Sequence, residues 1–167
     1  MAIVSGMTED VGTKVHAPGG VRAARSAIRP IVLATLGVPF DGSAEVFAVD
    51  AAVESGALLV VVNVTSLEPL RMSLVFGYDS LEEFTPEVSA STRRPAELAR
   101  SLGVQVERIK VRTPRPLQAL LELTAERRAG LLVFGPDRTR LRVRAYRRAV
   151  RRVREASPCL VWTADPA

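Results

Sequence analysis

From Pro30 onward the apolar positions fall into short runs and stripes that alternate between two periods. Ile31 to Leu36 is a β-branched and aliphatic run closed by Gly37 and Pro39, which predicts a first strand. Asp41-Gly42-Ser43 is a turn that places Ser43 at a helix N-cap, with Glu45 in the first turn. Val46, Val49 and Val53, joined by Ala52, then make an apolar stripe that ends at Gly56, a fitting C-cap. Ala57 to Val64 is apolar apart from Asn63, the pattern of a strand covered on both faces.

The connection from Thr65 to about Ser91 has no strong period, with room for a helical turn near Ser80 to Phe84. Pro95 at a helix N1 position, with Leu98, Ala99 and Leu102, predicts a short second helix stopped by Gly103. Val104 to Val111 alternates as a half-exposed third strand does. Pro116 to Ala129 sets Leu117, Leu120, Leu121 and Thr124 opposite a charged face, predicting the third helix. Leu131 to Phe134 reads as a buried fourth strand ending at Gly135. A fourth helix follows over Leu141 to Ala156, with Tyr146, Ala149, Val150 and Val153 as its apolar stripe. Pro158 closes it, and Cys159 to Thr163 forms the last strand.

Five strands alternating with four helices through short loops predict an α/β fold: a three-layer, doubly wound, parallel five-stranded sheet with helices on both faces. Such sheets take ligands beyond the carboxyl ends of their strands, where the strand order reverses. The segments after the first strand (Leu36 to Ser43) and after the fourth (Gly135 to Leu141) are therefore the expected site.

The 167 residues, 47% of them hydrophobic, suit one domain able to bury roughly 70% of its unfolded surface. That domain is expected over 30–167. Residues 1–29 carry Gly12, Pro18, Gly19 and Gly20 without a sustained period and read as a mobile or loosely docked arm. The longest apolar run, Ala57 to Val62, is about a third of what a bilayer requires, and the first 30 residues show no leader pattern. The expectation is a cytoplasmic protein with no membrane partner. One cysteine, Cys159, excludes an internal disulfide framework and a multi-thiolate zinc site. The single histidine, His16, lies in the arm, and no acid–base pair stands out, so no enzyme and no metal centre are expected. Asp41 and Asp137 both follow strand ends, but two carboxylates without a motif do not define an ion site.

Charge changes the picture. The net charge is +5, yet nine arginines fall between Arg138 and Arg154 with no Asp or Glu among them. Removing nine from the 23 basic residues leaves 14 against 18 acidic ones, so the rest of the chain is acidic. On the fourth helix Arg144/Arg148, Arg147/Arg151 and Arg148/Arg152 are like-charge i,i+4 pairs, each costing about 0.2–0.5 kcal/mol.

The chain from Pro30 to Thr163 resembles the universal stress protein family through an ordered set of pieces. Asp41-Gly42-Ser43 follows the first strand, Asn63-Val64 closes the second, and Leu102-Gly103-Val104 leads into the third. Gly130-Leu131-Leu132-Val133-Phe134-Gly135 and Ser157-Pro158-Cys159-Leu160-Val161 are similar to the family's fourth and last strands. The resemblance implies a Rossmann-like domain of the adenine-nucleotide alpha hydrolase type. It also implies a non-enzymatic stress-response protein, and a homodimer through the last strand (Cys159, Leu160, Val161, Trp162).

Members that hold ATP carry Gly-x-x-Gly, nine residues, then Gly followed by Ser or Thr, whose amides cradle the phosphates. Here Gly135 matches the first glycine, but Arg138 stands at the second. Arg148-Ala149, or Arg147-Arg148 in the other register, stands at the Gly-Ser pair. The family's aspartate ends the first strand, whereas Gly37-Val38-Pro39-Phe40 precedes Asp41. The resemblance thus implies a degenerate nucleotide site.

Three readings of the arginines stay open. They are a solvated helix face; an anion site of Arg138, Arg140, Arg147 and Arg148 beside Gly135 and Asp41; or a nucleic-acid surface, disfavoured because no stacking aromatics alternate with the arginines. The second admits ATP or another phosphorylated nucleotide, a polyphosphate or another phosphorylated metabolite as ligand without fixing one. Cys159 is expected to be a small buried hydrophobe, and Trp162 a packing or edge residue.

Overall fold

The computed structural model describes residues 28–66 and 86–164, with backbone alone for 86–89. Its strands are β1 (Ile31–Thr35), β2 (Leu59–Ser66), β3 (Val106–Thr113), β4 (Leu131–Phe134) and β5 (Leu160–Thr163). They alternate with the helices α1 (Gly42–Ser55), α2 (Pro86–Ser101), α3 (Pro116–Glu126) and α4 (Val143–Ala156). The strands pair in parallel in the order β3-β2-β1-β4-β5. This is the predicted doubly wound, Rossmann-like sheet, and the order reverses between β1 and β4. Most of the expected arm, and the turn expected near Ser80 to Phe84, lie outside the described residues.

Strand alternation sorts the core into two layers. Leu33, Leu59, Val61 and Val133 face α1 and α2. Val32, Val60, Val62, Leu132 and Phe134 face α3 and α4. The central strands are buried on both sides, which explains their uninterrupted apolar runs. No helix among the described residues is long and apolar enough to cross a membrane.

Three expectations change. The buried face of α1 is not the valine stripe: Val46 and Val53 are exposed, while Ala44, Ala48 and Ala52 sit with Val49 against the sheet. A helix that must approach the strand ends closely does so on its smallest side chains. The N-cap is Asp41 rather than Ser43, its carboxylate accepting from the Ser43 N–H. Finally, α2 begins at Pro86 and runs through Pro95, which cannot donate to the Ser91 carbonyl. The first-turn proline that the sequence rule seeks is therefore nine residues earlier. The remaining shifts are at element ends, β2 and β3 each starting two residues later than expected.

Candidate functional site

The two segments that leave β1 and β4 are tied to each other across the switch point. The Asp41 N–H donates to the Gly135 carbonyl at 2.9 Å, and the Asp137 N–H to the Pro39 carbonyl at 2.8 Å. Between these bonds Phe40 and Pro136 form an antiparallel bridge, and Phe40 is buried beside Ala44 and Val49. The four residues that precede Asp41 are what make this crossing reachable. Gly37, at φ +66, turns the chain out of β1 and donates its N–H to Asn63 Oδ1 at 2.9 Å. The Thr35 hydroxyl holds the same turn by donating to the Val38 carbonyl.

Gly135 serves packing here. A Cβ on it would stand 2.1 Å from the Ala44 Cβ, so only glycine lets the start of α1 reach the end of β4. Its N–H donates to the Ala34 carbonyl at 3.0 Å and its carbonyl is taken by Asp41. Its backbone groups are thus committed within the fold.

Beyond the tie, each segment makes the same turn. Asp41 accepts from the N–H and hydroxyl of Ser43, and Asp137 from the N–H and hydroxyl of Thr139, the latter at 2.9 and 2.7 Å. The Ser43 hydroxyl, helped by the Ser43 and Ala44 amides and by the Arg138 guanidinium, holds the Asp41 carboxyl below its ordinary range, against the opposing effect of partial burial. Glu45, one helical turn on, is nearly buried. Burial pushes its carboxyl up, the guanidinium of Arg94 at 3.6 Å opposes this, and the nearby Asp41 adds to it.

The opening lies on the α4 side of this tie, as a cavity of about 730 Å³. Asp41, Asp137, Arg138 and Thr139 line one end, and a single face of α4 lines the rest: Val143, Tyr146, Arg147, Val150, Arg151, Arg154 and Glu155. Those α4 positions recur at three and four residues, which is why they share a face. The buried Tyr146 is fixed by its hydroxyl, which donates to the Ala164 carbonyl at 2.8 Å. Arg154 donates to the Thr163 hydroxyl, and Arg151 stands 3.9 Å from Glu155 on the exposed rim. Arg142, the residue before α4, offers no side-chain cap, and no acidic residue sits in the first turn. The chemistry of this groove is guanidinium forks set against aliphatic and aromatic carbon, suited to a phosphorylated or carboxylated ligand.

Of the expected site residues, the structure brings Asp41, Arg138 and Arg147 to this groove. Arg140 lies in the 3-10 turn that precedes α4 and Arg148 on the helix's exposed arc, and neither lines it. Sequence reasoning overlooked Arg151, Arg154 and Thr139. The first two were legible as the arginines sharing a face with Val143 and Val150, and Thr139 as the partner that repeats Ser43. Asn63 is fully buried within β2 with its Nδ2 unpartnered. Asp41 and Asp137 both reach the groove, but no group of three or more potential metal ligands occurs among the described residues. Cys159 is half-buried beside the Ser157 hydroxyl. Trp162 stacks on Phe47, ring centroids 4.7 Å apart, as a packing residue does.

The model of the universal stress protein family matches residues 27–163. A universal stress protein from Archaeoglobus fulgidus superposes with a TM-score of 0.58 at 18% identity, over 81% of this chain and 92% of that one. The Archaeoglobus fulgidus protein in complex with dAMP gives 0.57 at 20% identity, over 81% and 96%. A universal stress protein in complex with cAMP gives 0.53 at 22% identity, over 85% and 100%. No curated protein matches the chain by sequence.

Proposed function

The chain belongs to the universal stress protein family, and on that premise we propose that it is a non-enzymatic, cytoplasmic stress-response protein that holds a phosphoanion with arginine side chains. The glycine-based phosphate cradle is degenerate. In its place Arg138 and Arg147, backed by Arg151 and Arg154, meet the anion in the groove along α4. The observation that carries this reading is the fate of Gly135: its N–H is spent on Ala34, while the guanidinium of Arg138 lines the cavity three residues on. Relatives solved with cAMP and dAMP support an adenine nucleotide as the carrier of the phosphate.

No step of bond making is assigned, because the groove presents cations and carboxylates that pair with their own turns rather than a nucleophile beside a base. A homodimer through β5 belongs to the same proposal. The strand is a sheet edge, and Leu160 on it is 76% exposed, an apolar edge of the kind that proteins cover.

Calorimetric titration with ATP, AMP, inorganic triphosphate and adenosine tests the groove. Binding of both triphosphates, none of adenosine, and loss of binding in Arg138→Gln/Arg147→Gln are expected. Adenosine binding as tightly as ATP, with the double variant unaffected, would overturn the arginine-based site.

A further inference from the structure

The arginines of α4 and of the turn before it divide into those that line the groove and those that do not. In the groove Arg138 acts on Asp41, Arg151 stands near Glu155, and Arg154 bonds Thr163. Alongside that face Arg144, Arg148 and Arg152 are exposed outside the groove lining, and no hydrogen bond or ion pair engages them among the described residues. They stand at i, i+4 and i+8, so the row advances about 6 Å per step along the helix. Holding like charges at that spacing is unfavourable in the free protein. Where the row ends, a second cavity of about 300 Å³ opens between α4 and the start of α3, lined by Arg115, Gln118 and Arg152 among others. Arg115 is likewise exposed, with no ion pair among the described residues. Four guanidinium groups from two helix-bearing segments therefore form one continuous line that skirts the groove.

We infer that this line is a track for an extended chain of phosphates, namely linear inorganic polyphosphate. A compact metabolite would engage one or two of these groups, whereas a linear polyanion engages all four and releases the counterions that they hold. The row itself offers a base no stacking surface on α4. Tyr146, the aromatic of α4, is buried with its hydroxyl on Ala164, so the track reads charge and spacing alone. This inference does not depend on what fills the groove.

The test uses the full chain and fluorescently labelled polyphosphate, followed by anisotropy across a salt series. Wild-type binding is expected to weaken linearly on a log–log plot of affinity against salt. Arg144→Gln/Arg148→Gln/Arg152→Gln should reduce that slope by about 2, because each phosphate neutralised on a single strand adds roughly 0.7 to it. Its melting temperature should equal or exceed wild type, which reports that the helix is intact. Arg93→Gln/Arg100→Gln, exposed on α2 across the sheet, should leave the slope unchanged. The inference fails if wild type does not bind polyphosphate, or if the triple variant keeps the wild-type slope. It fails equally if an oligonucleotide of the same charge binds more tightly, since that would show a base being read.

Discussion

The two segments that leave the sheet at its switch point begin alike and end differently. Asp41-Gly42-Ser43 and Asp137-Arg138-Thr139 make the same aspartate-anchored turn. After the first, the turn is itself the start of α1, so the carboxylate caps the helix and lies near its positive end. After the second, the chain makes one 3-10 turn and then starts α4 afresh behind Arg142, whose side chain caps nothing. One helix start is thus satisfied by its own sequence, and the other is left with cations around it and no acidic cap. The same local device caps a helix once and borders the groove once.

The comparison breaks most severely at Gly135. Gly135→Ala would press a methyl group into Ala44, and a loss of about 1–3 kcal/mol or failure to fold is expected in denaturant unfolding. Ala44→Gly should recover part of it. A phosphate-cradling role for Gly135 would instead show as lost ligand binding with stability kept.

Next in size are the two anchors. Asp41→Ala should cost about 0.5–2 kcal/mol, as lost N-caps do, and Asp137→Ala distinctly less, because only a three-residue turn depends on it. Equal losses would mean that the two turns carry the same load.

Arg142→Ser gives α4 the cap that it lacks. It should raise stability by roughly 0.5–1 kcal/mol without ligand, read from the unfolding midpoint. A decrease would show that the arginine already packs productively there.

The smallest effect is a dependence on pH. Glu45 titrates above its unfolded value, so its contribution to stability is present in acid and lost as pH rises through the raised value. Glu45→Gln should therefore melt higher than wild type at neutral pH and equally near pH 4. Asp41 behaves oppositely: its contribution is present above the ordinary aspartate value of 3.8 and lost as pH falls through its depressed one. Asp41→Asn should flatten that acid limb of the stability profile.

Much of this architecture was legible in the residues, and the reasons differ by element. Leu131 to Phe134 stood out because a parallel strand buried on both faces leaves no polar interruption, and Gly130 and Gly135 bracket it. The buried stripe of α4 was clear because arginines define the solvent arc by contrast, and Tyr146, Ala149 and Val153 fell where expected. In α1 that contrast is missing. Valines occur on both sides of the helix, and close approach to β4 selects alanines that hydrophobic strength alone would rank lower. Pro95 misled the start of α2, since a proline looks the same at a helix start as inside one. Of the site, the switch point and Arg138 could be anticipated from strand order. The tie between Pro39 and Asp137 could not, because it depends on two backbone segments meeting far apart in sequence.

Side-chain nitrogen NMR offers the most direct look at which groups meet the anion. With inorganic triphosphate added, the guanidinium Nε–H signals of Arg138 and Arg147 should move, while the backbone amide of Gly135 stays where it was. Amides from 135 to 139 that shift while every guanidinium signal stands still would contradict the arginine-held anion.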